Sequence, residues 1–270
     1  MSEKGSYARD RVSFGGVASA ALLALIVIVG AVVYLNRDEA TPDTGDAELT
    51  ATTGEGFATP EVDIFGRRVD VPNNPAGQPL PQDPSLQRHS GDPDWLTGAP
   101  VGTTEPRGWQ RVYGASVPFS TSDGPSRIED GLAVGYAHTP QGAALAAAQI
   151  TYRLNARPAD RDLYVRQVRV SAQQIAAYDR ALEEDRLPEQ QPEKVTRYFV
   201  APDAFKVENY ADDLAIVRFA SRGPVVDGRQ LWAALRLVMV WDAGDWRLKP
   251  ATSNGAQTEL IESLEGWTRW

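Results

Sequence analysis

The side chains able to do acid–base or metal chemistry are few and scattered. The chain holds two histidines, His89 and His138, and no cysteine. Lack of cysteine excludes disulfides, thiol nucleophiles and thiolate metal sites together. His138 stands directly before an expected helix start, where two roles are open. It can fix the corner by a hydrogen bond, or face a pocket as an acid or base. His89 falls in a polar, proline-rich stretch and reads as solvated. Glu183–Glu184 and Asp212–Asp213 have the composition for general acid/base work. The first pair falls at the polar end of an expected helix and the second in an expected hairpin turn, so both read as solvated charge. There is no phosphate-binding glycine loop, no Gly-x-Ser-x-Gly, and no ordered His/carboxylate spacing for a metal. The expectation is a chain without catalytic residues, cofactor or metal, a binding and assembly module. An enzyme using His138 with a pocket carboxylate is the contrasting reading.

Residues suited to recognition are more prominent. Residues 62–72 place Val62, Ile64, Val69 and Val71 around Phe65, Arg67 and Arg68, in an otherwise polar region. That pattern suits a short strand packed on its own domain, or a docking segment that pairs with a partner's sheet edge. Trp232, Trp241, Trp246, Trp267 and Trp270 crowd towards the C-terminus. Most are expected in the core, because tryptophan buries much apolar area. Trp267 and Trp270 are the candidates for a subunit or partner contact, where tryptophans often anchor binding.

The elements that would hold these residues follow from periodicity. Thr139 suits an N-cap and Pro140 a first helical position, opening an alanine-rich helix over residues 141–154 whose buried side carries Leu145, Ala148, Ile150 and Tyr152. A short helix is expected over residues 160–168. Ser171 and Gln174 have capping-box spacing, opening a helix to about residue 185. The apolar period then changes from 3.6 to 2, predicting strands over residues 195–210, 214–221, 229–241 and 246–248, joined by turns at 210–213 and 242–245. Residues 130–137 read as a further strand, and residues 257–264 as a last amphipathic helix. The fold class expected for residues 107–270 is α+β, with helices on one face of an antiparallel sheet.

Before that domain the chain changes character twice. Residues 14–35 carry no charged side chain. As a helix at ~1.5 Å per residue they span about 33 Å, enough for a bilayer core. Lys4, Arg9 and Arg11 precede the segment and Asp38, Glu39, Asp43, Asp46 and Glu48 follow it. The positive-inside bias then expects residues 1–13 in the cytoplasm, one transmembrane helix, and the remainder outside the cell membrane. Residues 36–106 hold ten of the 19 prolines and read as a disordered tether. The net charge of −9 argues against direct nucleic-acid binding.

Residues Val238-Met-Val-Trp-Asp-Ala-Gly-Asp-Trp-Arg-Leu248 and the helices-then-strands order resemble the cystatin-like cone of the nuclear transport factor 2-like superfamily. Phe65-Gly-Arg-Arg-Val-Asp-Val-Pro72, Gly135-Tyr-Ala-His-Thr-Pro-Gln-Gly142 and the ending Gly266-Trp267 resemble actinobacterial membrane proteins carried with conjugative and integrative elements. In architecture the chain is similar to single-pass assembly factors of type IV secretion, and equally to Mce-associated membrane proteins. The resemblance implies a cystatin-like outer domain with helices packed on a curved antiparallel sheet. It also implies a non-enzymatic envelope scaffold in conjugative DNA transfer, bound to protein partners or to copies of itself as a homo-oligomer. The alternative is an extracytoplasmic module whose pocket takes a lipid or cell-wall fragment.

Overall fold

The computed structural model describes residues 54–250 and 258–270. In chain order it contains β1 (Glu61–Val62), β2 (Arg68–Val69), β3 (Trp109–Val112), β4 (Ala115–Pro118), β5 (Arg127–Glu129) and β6 (Leu132–Val134). Four helices follow: α1 (Pro140–Ala156), α2 (Arg161–Gln167), α3 (Ala172–Glu183) and α4 (Glu193–Thr196). The remainder is β7 (Ala204–Ala211), β8 (Leu214–Val226), β9 (Arg229–Asp242), β10 (Asp245–Lys249), β11 (Thr258–Ile261) and β12 (Thr268–Arg269). β10, β9, β8, β7 and β12 are neighbours in that order in one antiparallel sheet, and β11 also pairs with β9.

One face of that sheet packs on α1. Phe205, Val207, Ala215, Val217, Phe219, Leu235, Leu237, Met239, Trp246 and Leu248 alternate along the strands and join the apolar side chains of α1 in one core. Alternation with period 2 puts those side chains on a single face. Every residue of α1 is buried, polar ones included. Its six alanines allow close approach on all sides. Thr139 caps it by accepting a hydrogen bond from the Gly142 N–H at 2.9 Å, with Pro140 at the first position. Ser171 and Gln174 form the expected reciprocal capping box of α3.

The expected arrangement of one membrane helix, a disordered tether and a cystatin-like cone is overturned. The expected membrane helix at 14–35, the tail at 1–13 and the first part of the tether lie outside the described residues. No helix among the described residues is long and apolar enough to cross a membrane. From residue 54 the proline-rich segment is no tether but a layer of the domain, joined by β3 and β4 on the side of α1 away from the sheet. Val69, Ala76, Leu80 and Trp109 are buried there. α1 therefore lies between two layers, where a cone with helices on one face would leave its far side to solvent.

Side chains replace the ladder that prolines prevent. The Gln78 N–H donates to Gln110 Oε1 at 2.8 Å, and Gln110 Nε2 donates back to the Gln78 carbonyl at 2.7 Å. α1 supplies more. Gln141 Nε2 donates to the carbonyls of Trp95 and Gly98 at 2.9 and 3.0 Å. Gln149 Nε2 reaches the Pro118 carbonyl at 2.7 Å. Arg153 reaches the carbonyls of Ala76 and Gly131 at 2.5 and 3.0 Å. Irregular backbone tolerates burial when such partners satisfy it.

Three local expectations are corrected. Residues 195–203 are not strand: α4 and a turn occupy 193–199, and β7 begins at Ala204. Residues 258–261 form β11 where a helix was expected, because the open edge of β9 offers partners from Trp232 to Leu235. Asp130 and Gly131, both at positive φ, turn the chain between β5 and β6 instead of continuing a strand.

Candidate partner-binding surface

The two faces of the sheet differ in cover. The side chains opposite to the core are Leu214, Ile216, Arg218, Ala220, Ala234, Arg236, Val238 and Val240 on β8 and β9. One end of this outer face is covered. Residues 262–267 cross it on the way from β11, at the β9 edge, to β12, at the β7 edge. Ala204, Ala220 and Ala234 lie in cross-strand register beneath that path and are fully buried. Their small side chains leave the depth that the crossing segment needs. Trp267 lies under the Arg218 guanidinium at 5.4 Å.

The other end carries Leu214 opposite Val240 and Ile216 opposite Val238. These four aliphatic side chains are half-buried and do not belong to the core on the α1 side. Arg247 sits opposite Val240 and Lys249 opposite Val238. Arg218 and Arg236 face each other one step along. Glu208 relieves their repulsion, at 3.4 Å from Arg218 and 3.3 Å from Arg236. Arg247 pairs with Asp242 at 3.3 Å and Arg218 also meets Glu259, so the result is an aliphatic patch with a charged, largely ion-paired rim, the anatomy of an apolar contact core inside a polar edge.

The residues singled out from sequence are dispersed. Asp63 Oδ1 accepts from the N–H groups of Phe65 and Arg67 at 2.8 and 3.0 Å, closing the β1–β2 turn. Phe65 lies under the Arg222 guanidinium at 4.2 Å. Arg67 pairs with Asp63 at 2.8 Å and stacks 4.0 Å over the buried Trp109. Arg68 pairs with Asp70 at 2.7 Å. Residues 62–72 thus pack on their own domain. Trp270 is buried against Phe205, with ring centroids 4.5 Å apart, and donates from Nε1 to the Pro202 carbonyl at 2.8 Å. It is a core residue. Trp267 borders the outer face, beside Arg218.

His138 occupies the strand-to-helix corner. Its Nε2 hydrogen-bonds the Asp212 carbonyl, and its ring stacks on Trp241 with centroids 4.0 Å apart and planes 13° from parallel. Its own carbonyl accepts from the Tyr210 hydroxyl at 2.8 Å. The ring bridges the β7–β8 turn to the start of α1. Glu183, Glu184, Asp212 and Asp213 are exposed. His89 is exposed beside Asp92. Among the described residues no cluster of three or more His, Asp or Glu side chains converges on a metal position.

A buried carboxylate, Asp123, and a half-buried one, Asp245, escaped sequence reasoning. Asp123 accepts from the Ser122 hydroxyl at 2.5 Å and the Thr139 hydroxyl at 2.6 Å. Burial raises its pKa above the ordinary value, against the pull of both hydroxyls. It thereby ties the 120–126 loop to the cap of α1. Asp245 accepts from the N–H groups of Gly135 and Tyr136 at 2.7 and 3.2 Å, and burial raises its pKa too. Ser-Asp at 122–123 before a helix cap at 139 is too common a pattern to flag either residue.

Residues 70–269 match the model of one family, described as a domain of unknown function (DUF8175). The chain belongs to that family. No curated protein matches it. No solved structure matches it.

Proposed function

We propose that this domain is a non-enzymatic assembly module that binds a protein partner through the half of its outer sheet face that no described segment crosses. The observation that carries the reading is the patch of Leu214, Ile216, Val238 and Val240 inside a rim of Arg236, Arg247 and Lys249. Aliphatic side chains meeting in register on a strand surface normally have a covering layer, as the other end of the same face has. His138, Asp123 and Asp245 tie a corner, a helix cap and a loop by hydrogen bonds, which favours a binding role over a catalytic one. By sequence flanks and resemblance, we place the module on the outer side of a cell membrane, in an envelope complex of the conjugative-transfer type.

The test uses the full-length tagged chain in its native host, with in-cell crosslinking, purification and mass spectrometry. Ile216→Asp and Val238→Asp each put an unpaired charge at the centre of the patch. Each should weaken partner recovery by roughly 30-fold or more, as loss of a central anchor does. Folded variants that recover the same partners in the same yield sink the surface assignment. Unchanged DNA transfer after deletion of the gene sinks the conjugative part.

A further inference from the structure

A groove of about 610 Å³ lies on the layer opposite to the sheet, bounded by Phe57, Leu80, Pro81, Arg107 and Arg127. Three observations meet there. Arg107 holds φ at +71°, a left-handed backbone that is strained for a residue with a side chain. The strain is held in place from both sides. The Arg107 N–H donates to Asp70 Oδ2 at 2.8 Å, and its carbonyl accepts from Gln110 Nε2 at 3.1 Å. The guanidinium so presented stacks 5.0 Å from the Phe57 ring and forms no ion pair with a carboxylate of the described residues. A second cation, Arg127, stands on the same groove; it pairs with the exposed Glu129 at 2.7 Å and donates to Ser126 Oγ at 3.3 Å. Leu80 is buried between two prolines in its lining, with Gln78, Gln82 and Ser126 beside them.

The sequence supplies a complementary segment. Residues 38–53 contain Asp38, Glu39, Asp43, Asp46 and Glu48 and no Lys or Arg. The chain reaches the domain at the groove itself, since the Gly56 N–H donates to Gln78 Oε1 at 2.7 Å and Phe57 forms part of the wall. Glu48 stands nine positions before Phe57, a stretch that spans up to ~30 Å when extended, so the acidic residues reach the groove with length to spare. A segment attached so close acts at an effective concentration on the order of millimolar, which makes even weak ion pairs count.

We infer that the Arg107–Arg127 groove is the docking site of the chain's own acidic segment, residues 38–48. Docking holds the domain close to whatever precedes residue 38. Release lengthens the connection by the whole segment and opens the groove. The inference is independent of the sheet-face reading, because the two surfaces share no residue.

The chain has no cysteine, so paired cysteine variants of the full-length protein report proximity cleanly. Ala47→Cys is combined with Pro81→Cys at the groove rim. As a collision control it is combined with Asn209→Cys on the exposed edge of β7. Under mild oxidant the first pair should close within one chain about tenfold faster than the second. Arg107→Gln, and separately Asp43→Asn with Asp46→Asn and Glu48→Gln, should each bring the first rate down to the control. About 0.5 M salt should do the same. Equal rates in the two pairs overturn the inference, as does a fast rate that ignores all three changes. Crosslinks only between chains assign the groove to a second copy and overturn it too. Should Arg107→Gln fail to fold, the acidic-segment variant, which leaves the domain untouched, decides.

Discussion

Arg153→Met tests whether the proline-rich segment is held by the central helix. Arg153 is fully buried and meets no carboxylate. Its Nε donates to Gln149 Oε1 at 3.0 Å, and its two terminal nitrogens to the carbonyls of Gly131 and Ala76. Burial lowers its pKa, yet a guanidinium stays charged at neutral pH. Methionine fills the stem volume but leaves the Ala76 carbonyl and Gln149 Oε1 without their donor, at about 1–3 kcal/mol each, while the Gly131 carbonyl keeps the Tyr113 hydroxyl at 3.3 Å. Removing a buried charge gives part of that back. A net loss of about 3 kcal/mol follows, or about 6–12 °C in Tm for a domain of this size. Arg153→Lys keeps the buried charge with fewer bonds and should do no better than methionine. Thermal melts give the magnitude, and amide exchange gives the location. Protection should fall first around residues 76–80 and in the β5–β6 turn. A variant within about 1 kcal/mol of the parent, with unchanged exchange at those positions, refutes the clamp.

Three further outcomes are expected. Gly142→Ala should destabilise, although alanine favours helix by about 1 kcal/mol, because its Cβ would collide with the Ala137 carbonyl; a rise in Tm contradicts this. Trp270→Ala should cost about 3–5 kcal/mol in urea denaturation, as loss of a core aromatic does, and a loss below 1 kcal/mol would return Trp270 to the surface. Asp123 has a folded-state pKa above its ordinary 3.8, so its protonated form is favoured in the fold. The stability it contributes is therefore complete below that value and is lost as pH rises through the raised pKa. Asp123→Asn should show no such loss; a parent-minus-variant stability difference that stays flat with pH would argue against a buried, raised carboxyl.

What the sequence determined about this protein is local. Thr139–Pro140, Ser171–Gln174 and Ala243–Gly244 each carry their own geometry, so the helix starts and the last hairpin were legible. The strands from Leu214 to Leu248 were legible because side chains alternating between a core and an open face leave a period of 2 in the sequence. Residues 54–106 were misread because proline and polar composition signals missing backbone ladders, and says nothing of side chains that replace them. The pairing of Gln78 with Gln110 and the reach of Arg153 to Ala76 join residues 32 and 77 positions apart. A trace existed in α1, where Gln141, Gln149, Thr151, Arg153 and Asn155 stand among alanines and aliphatic side chains. Polar side chains on a helix read as solvated until something is known to lie over them. Only the tertiary structure decided that the second layer covers this helix completely. It also decided that, among the described residues, a crossing segment covers only one half of the outer sheet face. Both follow from which surfaces the chain brings together, and burial is a property of the pair, carried by neither sequence segment alone.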